Sequence, residues 1–159
     1  MRPTNALQWG RVVHFYGRAN EVPSLVQALG TDQHRRAERR LEEVLEHQDK
    51  ITQATAPALF LILRALREDA VKDRAAVEAI IDRVREAARF QIDEQKRPRD
   101  ELQPDWSLYD EGHLLPPSSS ETEDEILLEE WSSSLEEKEV LGWAVLVDEI
   151  IREHLGSDA

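Results

Sequence analysis

The 159-residue chain contains no cysteine, which excludes a disulfide framework and thiolate chemistry. Its longest apolar stretch, APALFLILRAL (56–66), is too short to span a bilayer, and the N-terminus lacks the continuous apolar segment of a signal peptide. Apolar residues still make up 40% of the chain, which is enough to bury a core. These features predict one domain in a reducing, cytoplasmic setting.

Motifs of catalysis and of metal or nucleotide binding are also missing. The five histidines have neither H-x-x-x-H nor H-E-x-x-H spacing, and the chain has no G-x-x-x-x-G-K-[ST], G-x-G-x-x-G or G-x-S-x-G stretch. The stretch ETEDE (121–125) lacks the glycine and the spacing of a calcium loop. We therefore expect no enzymatic activity, no catalytic residue, no cofactor and no bound metal.

Helical periodicity is what the sequence does contain, and no convincing alternating run predicts a strand. A first helix follows Val22, with Pro23 in its first turn and Gly30 in a left-handed position after its end. Thr31 or Asp32 is expected to N-cap the second helix. The short link between these two helices predicts an antiparallel hairpin.

The next helices show the same kind of pattern. Thr55 is a plausible N-cap for a helix that is apolar almost all round at 59–63, and this helix is expected to be central and buried. A long amphipathic helix begins near Asp73 and ends by Lys96, because Pro98 disfavours helix just before it. Residues 96–120 carry four prolines and no clear period. Two helices follow, with Trp131 expected to anchor the first one to the core.

Residues 9–66 carry three motifs that resemble a family of bacterial HEAT-repeat-like proteins. That family shows H-x-Y-G, then an acidic residue with V-P-x-L, then H-Q-G-x-x-Y-x-A-T-x-x-A. The departures are Asp49, where glycine is usual, and Thr52, where an aromatic is usual. The matching residues are His14, Tyr16, Gly17, Glu21, Val22, Pro23, Leu25, His47, Gln48, Ala54, Thr55 and Ala58.

The resemblance, together with the hairpins, implies an all-α fold, a short HEAT-like α-solenoid of about six helices in stacked antiparallel hairpins. Residues 1–95 are expected to form HEAT-like hairpins, 96–120 a proline-rich connecting loop, and 121–159 a C-terminal acidic hairpin on the same core. Several such proteins look like immunity proteins, which bind a toxin and block its active site. The resemblance therefore implies protein binding rather than chemistry.

The charge of −13 is unevenly distributed along the chain. Residues 1–99 hold 18 Lys and Arg against 15 Asp and Glu, whereas residues 100–159 hold 2 against 18. An acidic end repels nucleic acid and anionic membrane and attracts basic partners. We therefore expect a basic protein partner, no nucleic acid and no membrane.

The carboxylates around Trp131 have two interpretations. They form a solvated helix face, as charge runs usually do, or they form a docking surface in which aromatic residues lie within an acidic rim. On the second interpretation, a segment 106–139 contacts the partner, and its carboxylates imitate the phosphates of a nuclease substrate or cover a basic cleft. The predicted partner-binding residues are Trp106, Tyr109, Asp110, Glu111, Glu123, Asp124, Glu125, Glu129 and Glu130.

Three functions stay open at this point. The leading hypothesis is a non-catalytic immunity protein that neutralises a cognate toxin, and the alternative is a cytoplasmic adaptor or scaffold with no toxin. The third is a DNA-binding or glycosylase-type protein that uses the basic patch Arg35, Arg36, Arg39 and Arg40. Ion pairs within the helix, such as Arg39–Glu43, explain this patch more simply. A homodimer through the apolar seam of 140–155 also stays open.

Overall fold

Six α-helices and two short β-hairpins form the main regular structure in a computed structural model that describes residues 7–98, 101–117 and 120–155. The largely helical prediction is confirmed, whereas the expectation that no segment forms a strand is wrong. The helices are α1 (Val22–Ala28), α2 (His34–Leu45), α3 (Thr55–Arg67), α4 (Arg74–Glu94), α5 (Glu121–Ser134) and α6 (Glu137–Leu155). The strands are β1 (Val13–His14), β2 (Gly17–Arg18), β3 (Glu46–His47) and β4 (Lys50–Ile51).

Helix α6 lies against α3 and α4, and these three helices supply most of the core. Helix α1 packs on α2 and α3, so that α3 is enclosed by its neighbours. The central position predicted for α3 is confirmed, because Leu59 and Ile62 have no exposed surface. No helix among the described residues is long and apolar enough to cross a membrane.

Both β-hairpins are too short to be recognised by alternation of apolar and polar residues. In the second hairpin, Glu46 pairs with Ile51 and His47 pairs with Lys50, which leaves a two-residue turn. The turn residues Gln48 and Asp49 have φ angles of +51° and +61°, the left-handed values that a type I′ turn requires at both positions. Asp49 therefore occupies a backbone conformation that favours glycine.

The connecting segment (101–117) is folded onto the body. Tyr109 and Leu115 are buried, and Trp106 contacts Phe60 edge to face with the ring centroids 6.1 Å apart. Two hydrogen bonds join the backbone of Leu115 to Arg11. The Leu115 amide donates to the Arg11 carbonyl (2.9 Å), and the Leu115 carbonyl accepts from Arg11 Nε (2.7 Å). Part of the predicted proline-rich connecting loop therefore packs against the core.

The helix ends match the sequence only in part. Helix α4 begins next to Asp73, as predicted, and Asp73 caps it by accepting from the amide of Ala76 at 3.1 Å. Thr55 is not the cap of α3 but its first residue, and its hydroxyl donates to the Leu45 carbonyl at 2.9 Å. Thr31 and Asp32 precede the N-cap residue of α2, which is Gln33. The turn at Thr31 and Asp32 and the contact between Thr55 and Leu45 therefore replace the two predicted N-caps.

Gly30 is needed for a different reason from the predicted left-handed turn, because its φ angle is not positive. A β-carbon at this position would lie 2.7 Å from the carbonyl oxygen of Ala70. The link after α1 therefore passes directly against the loop after α3, where the Lys72 amide donates to the Leu29 carbonyl at 2.8 Å.

This close approach predicts that Gly30→Ala lowers the free energy of unfolding by about 1–3 kcal/mol, because backbone must shift to admit the methyl group. The matched control is Gly112→Ala, since a β-carbon there meets nothing within 4 Å. Urea unfolding of the two variants checks the prediction. Equal stability of the two variants would contradict it.

Candidate functional site

Helix α5 is attached to the body through one side. Leu127, Leu128 and Trp131 are half-buried on this side, as the sequence predicted. The indole of Trp131 stacks on Trp143 of α6 with centroids 6.0 Å apart and an interplanar angle of 7°, and its Nε1 donates to the His113 carbonyl at 3.4 Å. The predicted role of Trp131 as an anchor is confirmed.

An ion pair holds the N-terminal half of α5. Arg18 donates to both carboxylate oxygens of Asp124, at 2.9 and 2.8 Å, and also to the Gly10 carbonyl at 2.6 Å. The Arg18 side chain is only 7% exposed and that of Asp124 21%, so solvent screens this pair weakly. Asp124 is thus engaged within the chain rather than offered to a partner, which corrects its predicted role.

The other predicted carboxylates of α5, namely Glu123, Glu125, Glu129 and Glu130, are exposed. Within the described residues, the side chains of the last three have no hydrogen bond or ion pair. Three carboxylates of the body differ in this respect, because Glu21, Glu42 and Glu43 each pair with an arginine. The outer side of α5 is therefore a negative surface that the described part of the chain does not neutralise with ion pairs.

Ile126 lies in the middle of this negative surface and is 53% exposed. Glu123, Glu129 and Glu130 are three or four residues away from it and so surround it on the helix. Sequence reasoning missed this residue. The exposure of Ile126 could have been predicted, because Ile126 falls outside the apolar stripe formed by Leu127, Leu128 and Trp131.

The connecting segment does not present the aromatic hot spot that the sequence predicted. Tyr109 is 8% exposed, and its hydroxyl donates to the Gln53 carbonyl at 2.6 Å. Burial raises the pKa of Tyr109 well above its usual value. Trp106 is half-buried between Phe60 and Tyr109. Both rings therefore hold the segment to the body.

The two acidic residues of this segment differ from each other. Glu111 accepts two hydrogen bonds from Arg11, at 2.6 and 2.8 Å, and the hydrogen bond with Arg11 lowers the pKa of Glu111. Asp110 is exposed. The structure therefore brings the predicted residues together in two groups, with the α5 carboxylates at the surface and the aromatic residues inside.

His14 and its neighbours form a separate polar cluster at the first β-hairpin. The amide of Tyr16 donates to His14 Nδ1 at 2.9 Å, so the other ring nitrogen carries the proton and donates to Glu21 at 3.0 Å. Arg40 also binds Glu21, at 2.9 Å, and lies over the Tyr16 ring at 5.2 Å. These contacts join β1, α1 and α2.

Arg40 is also part of the basic patch of α2, within which the sequence predicted an ion pair between Arg39 and Glu43. In the described part of the chain, Glu43 pairs with Arg40 instead, at 3.4 Å. No group of three His, Asp or Glu side chains among the described residues could hold a metal ion. The candidate site is therefore a surface of charged and apolar side chains.

No family model matches the chain, and no similar curated protein or solved structure is found. The HEAT-like resemblance therefore stays a prediction.

The surroundings of His14 predict that its pKa is lower than usual. Burial lowers the pKa of His14, and this outweighs the opposing effect of Glu21. Because the unfolded chain then takes up the proton more readily, His14 reduces stability as the pH falls below its usual pKa of about 6.5. NMR titration should give a pKa below that value, and His14→Gln should show a weaker loss of stability between neutral and mildly acidic pH. A pKa at or above the usual value would contradict this account.

The Arg18–Asp124 pair predicts how α5 is held. Asp124→Asn leaves the guanidinium buried without its counter-charge, and we expect it to lower the free energy of unfolding by about 1–3 kcal/mol. Hydrogen exchange of the α5 amides should also become faster. The control is Glu125→Gln, an exposed change of the same kind on the next residue. If both variants behave alike, the ion pair does not hold the helix.

Proposed function

We propose that this chain is a non-catalytic immunity protein that binds and neutralises a cognate bacterial toxin with a basic cleft, such as a nuclease. The observation that carries the proposal is the acidic surface of α5, where the side chains of Glu125, Glu129 and Glu130 are exposed and form no ion pair with any described residue. Such a surface attracts a basic partner and speeds the encounter with it.

The attachment of α5 also favours binding. The Trp131–Trp143 stack and the Arg18–Asp124 pair hold the helix in one place, so its carboxylates are presented without a large ordering cost. Carboxylates one helical turn apart have their β-carbons roughly 5–6 Å apart, which gives a row of regularly spaced negative charges. Ile126 adds an apolar contact at the centre of this row.

The finer description of the fold belongs to the same proposal. We infer that the helices form a short HEAT-like stack, with α1 and α2 as one hairpin and with α6 closing the core against α3 and α4. Stacks of this kind commonly bind proteins, although the fold does not determine the function. The acidic α5 is then the element that selects the partner.

The proposal predicts a basic partner whose gene lies beside that of this chain. A tagged pull-down from the native cell at low and moderate salt should recover one stoichiometric basic protein. Co-expression should then rescue the growth of cells that produce this protein. A stoichiometric partner that is harmless to cells would favour an adaptor instead.

Charge reversal of Glu125, Glu129 and Glu130 to Lys should weaken the binding of this partner by about 100-fold at low salt, because it removes both attraction and steering. The control reverses Glu68, Glu86 and Glu94, which are exposed carboxylates of the body, and so changes the net charge by the same amount. Calorimetry measures both affinities, and circular dichroism checks that both variants fold. Equal weakening by the two variants would show that net charge alone matters and would exclude α5 as the docking surface.

A further inference from the structure

A groove of about 660 Å³ lies between α5 and the body. Its apolar lining consists mainly of Phe15, Leu128, Trp131, Leu135, Val140 and Trp143. The α5 side chains in this set are only half-buried, so the helix covers the groove without filling it. This volume is in the usual range for a binding pocket, and aromatic walls are common in such pockets.

The two edges of the groove differ in charge. Ser132 lines the edge on α5, and Glu125 and Glu129 precede it by seven and three residues, which places all three on one row of the helix. Lys50 of β4 lies on the body side of the groove. The apolar floor therefore has a cation on its body side, whereas Glu125 and Glu129 continue the α5 row of Ser132 beside the groove and are not part of its lining.

We propose that this groove is the docking site for an aromatic side chain of a basic partner segment, whose neighbouring Lys or Arg residues bind the carboxylates along α5. The inference rests on the proposed function and names the manner of binding. Charge complementarity selects this occupant, because the cations of the segment are attracted towards Glu125 and Glu129 and repelled by Lys50. The aromatic ring would lie against the Trp131–Trp143 stack, where it is desolvated and gains most from burial.

Two synthetic peptides and one pair of variants test the proposal on the full chain. The first peptide has one tryptophan flanked on both sides by lysine and arginine, and the second has alanine in place of the tryptophan. The reporters are the NMR signals of the Trp131 and Trp143 indole N–H groups and of the α5 amides. Ser132→Trp fills the groove from its α5 edge, and Ser133→Trp places the same ring on the neighbouring exposed residue.

The tryptophan peptide should shift both indole signals and bind at least about tenfold more tightly than the alanine peptide. Ser132→Trp should abolish this advantage, whereas Ser133→Trp should keep it. If both peptides bind equally and shift only the α5 amides, the groove proposal is overturned and the acidic surface stands. If neither peptide binds, the groove proposal is overturned, and basic-partner binding by α5 loses its support as well.

Discussion

The buried amide of Gln53 is the contact on which the arrangement of the N-terminal hairpin, the connecting segment and α5 depends. Its oxygen accepts from the Val13 amide at 3.0 Å, and its nitrogen donates to the His113 carbonyl at 3.0 Å. The same carbonyl accepts from Trp131, so α5 is positioned through this group. A side chain without polar atoms would leave the buried Val13 amide unpaired and would remove one of the two donors to the His113 carbonyl, and an unpaired buried amide costs more than its hydrogen bond contributes.

The uneven charge along the chain has a structural counterpart. Arg11 and Arg18, both near the start of the chain, bind Glu111 and Asp124 in its acidic part. These two ion pairs join the N-terminal part of the chain to its acidic part. They neutralise two carboxylates that composition alone would assign to a partner. Among the described residues, the carboxylates that keep no ion pair are therefore fewer than the acidic segment contains, and they include Glu125, Glu129 and Glu130 on the outer side of α5.

Much of the helical structure could be predicted because it follows from local periodicity. The burial of α3, the start of α4 near Asp73 and the anchoring by Trp131 depend on the spacing of residues in a single helix. The contacts that could not be predicted join residues far apart in the sequence. The approach of Gly30 to Ala70 is of this kind, since nothing near Gly30 indicates which backbone it meets.

The candidate site could likewise be predicted only where it follows from periodicity within one helix. Periodicity placed Glu125, Glu129 and Glu130 away from the core correctly. It could not show that Asp124 binds Arg18 or that Tyr109 is buried against Gln53, because both depend on how the connecting segment and the first hairpin meet. The two β-hairpins were missed because two residues are too few to show a period.

The parallel stack of Trp131 on Trp143 has a consequence for how the molecule can be observed. Near-ultraviolet circular dichroism depends on fixed packing of aromatic rings, whereas the far-ultraviolet signal depends on helix content. Since this stack joins α5 to α6, detachment of α5 changes the first signal while the second is largely kept. The chain therefore contains its own optical reporter of whether its acidic helix is in place.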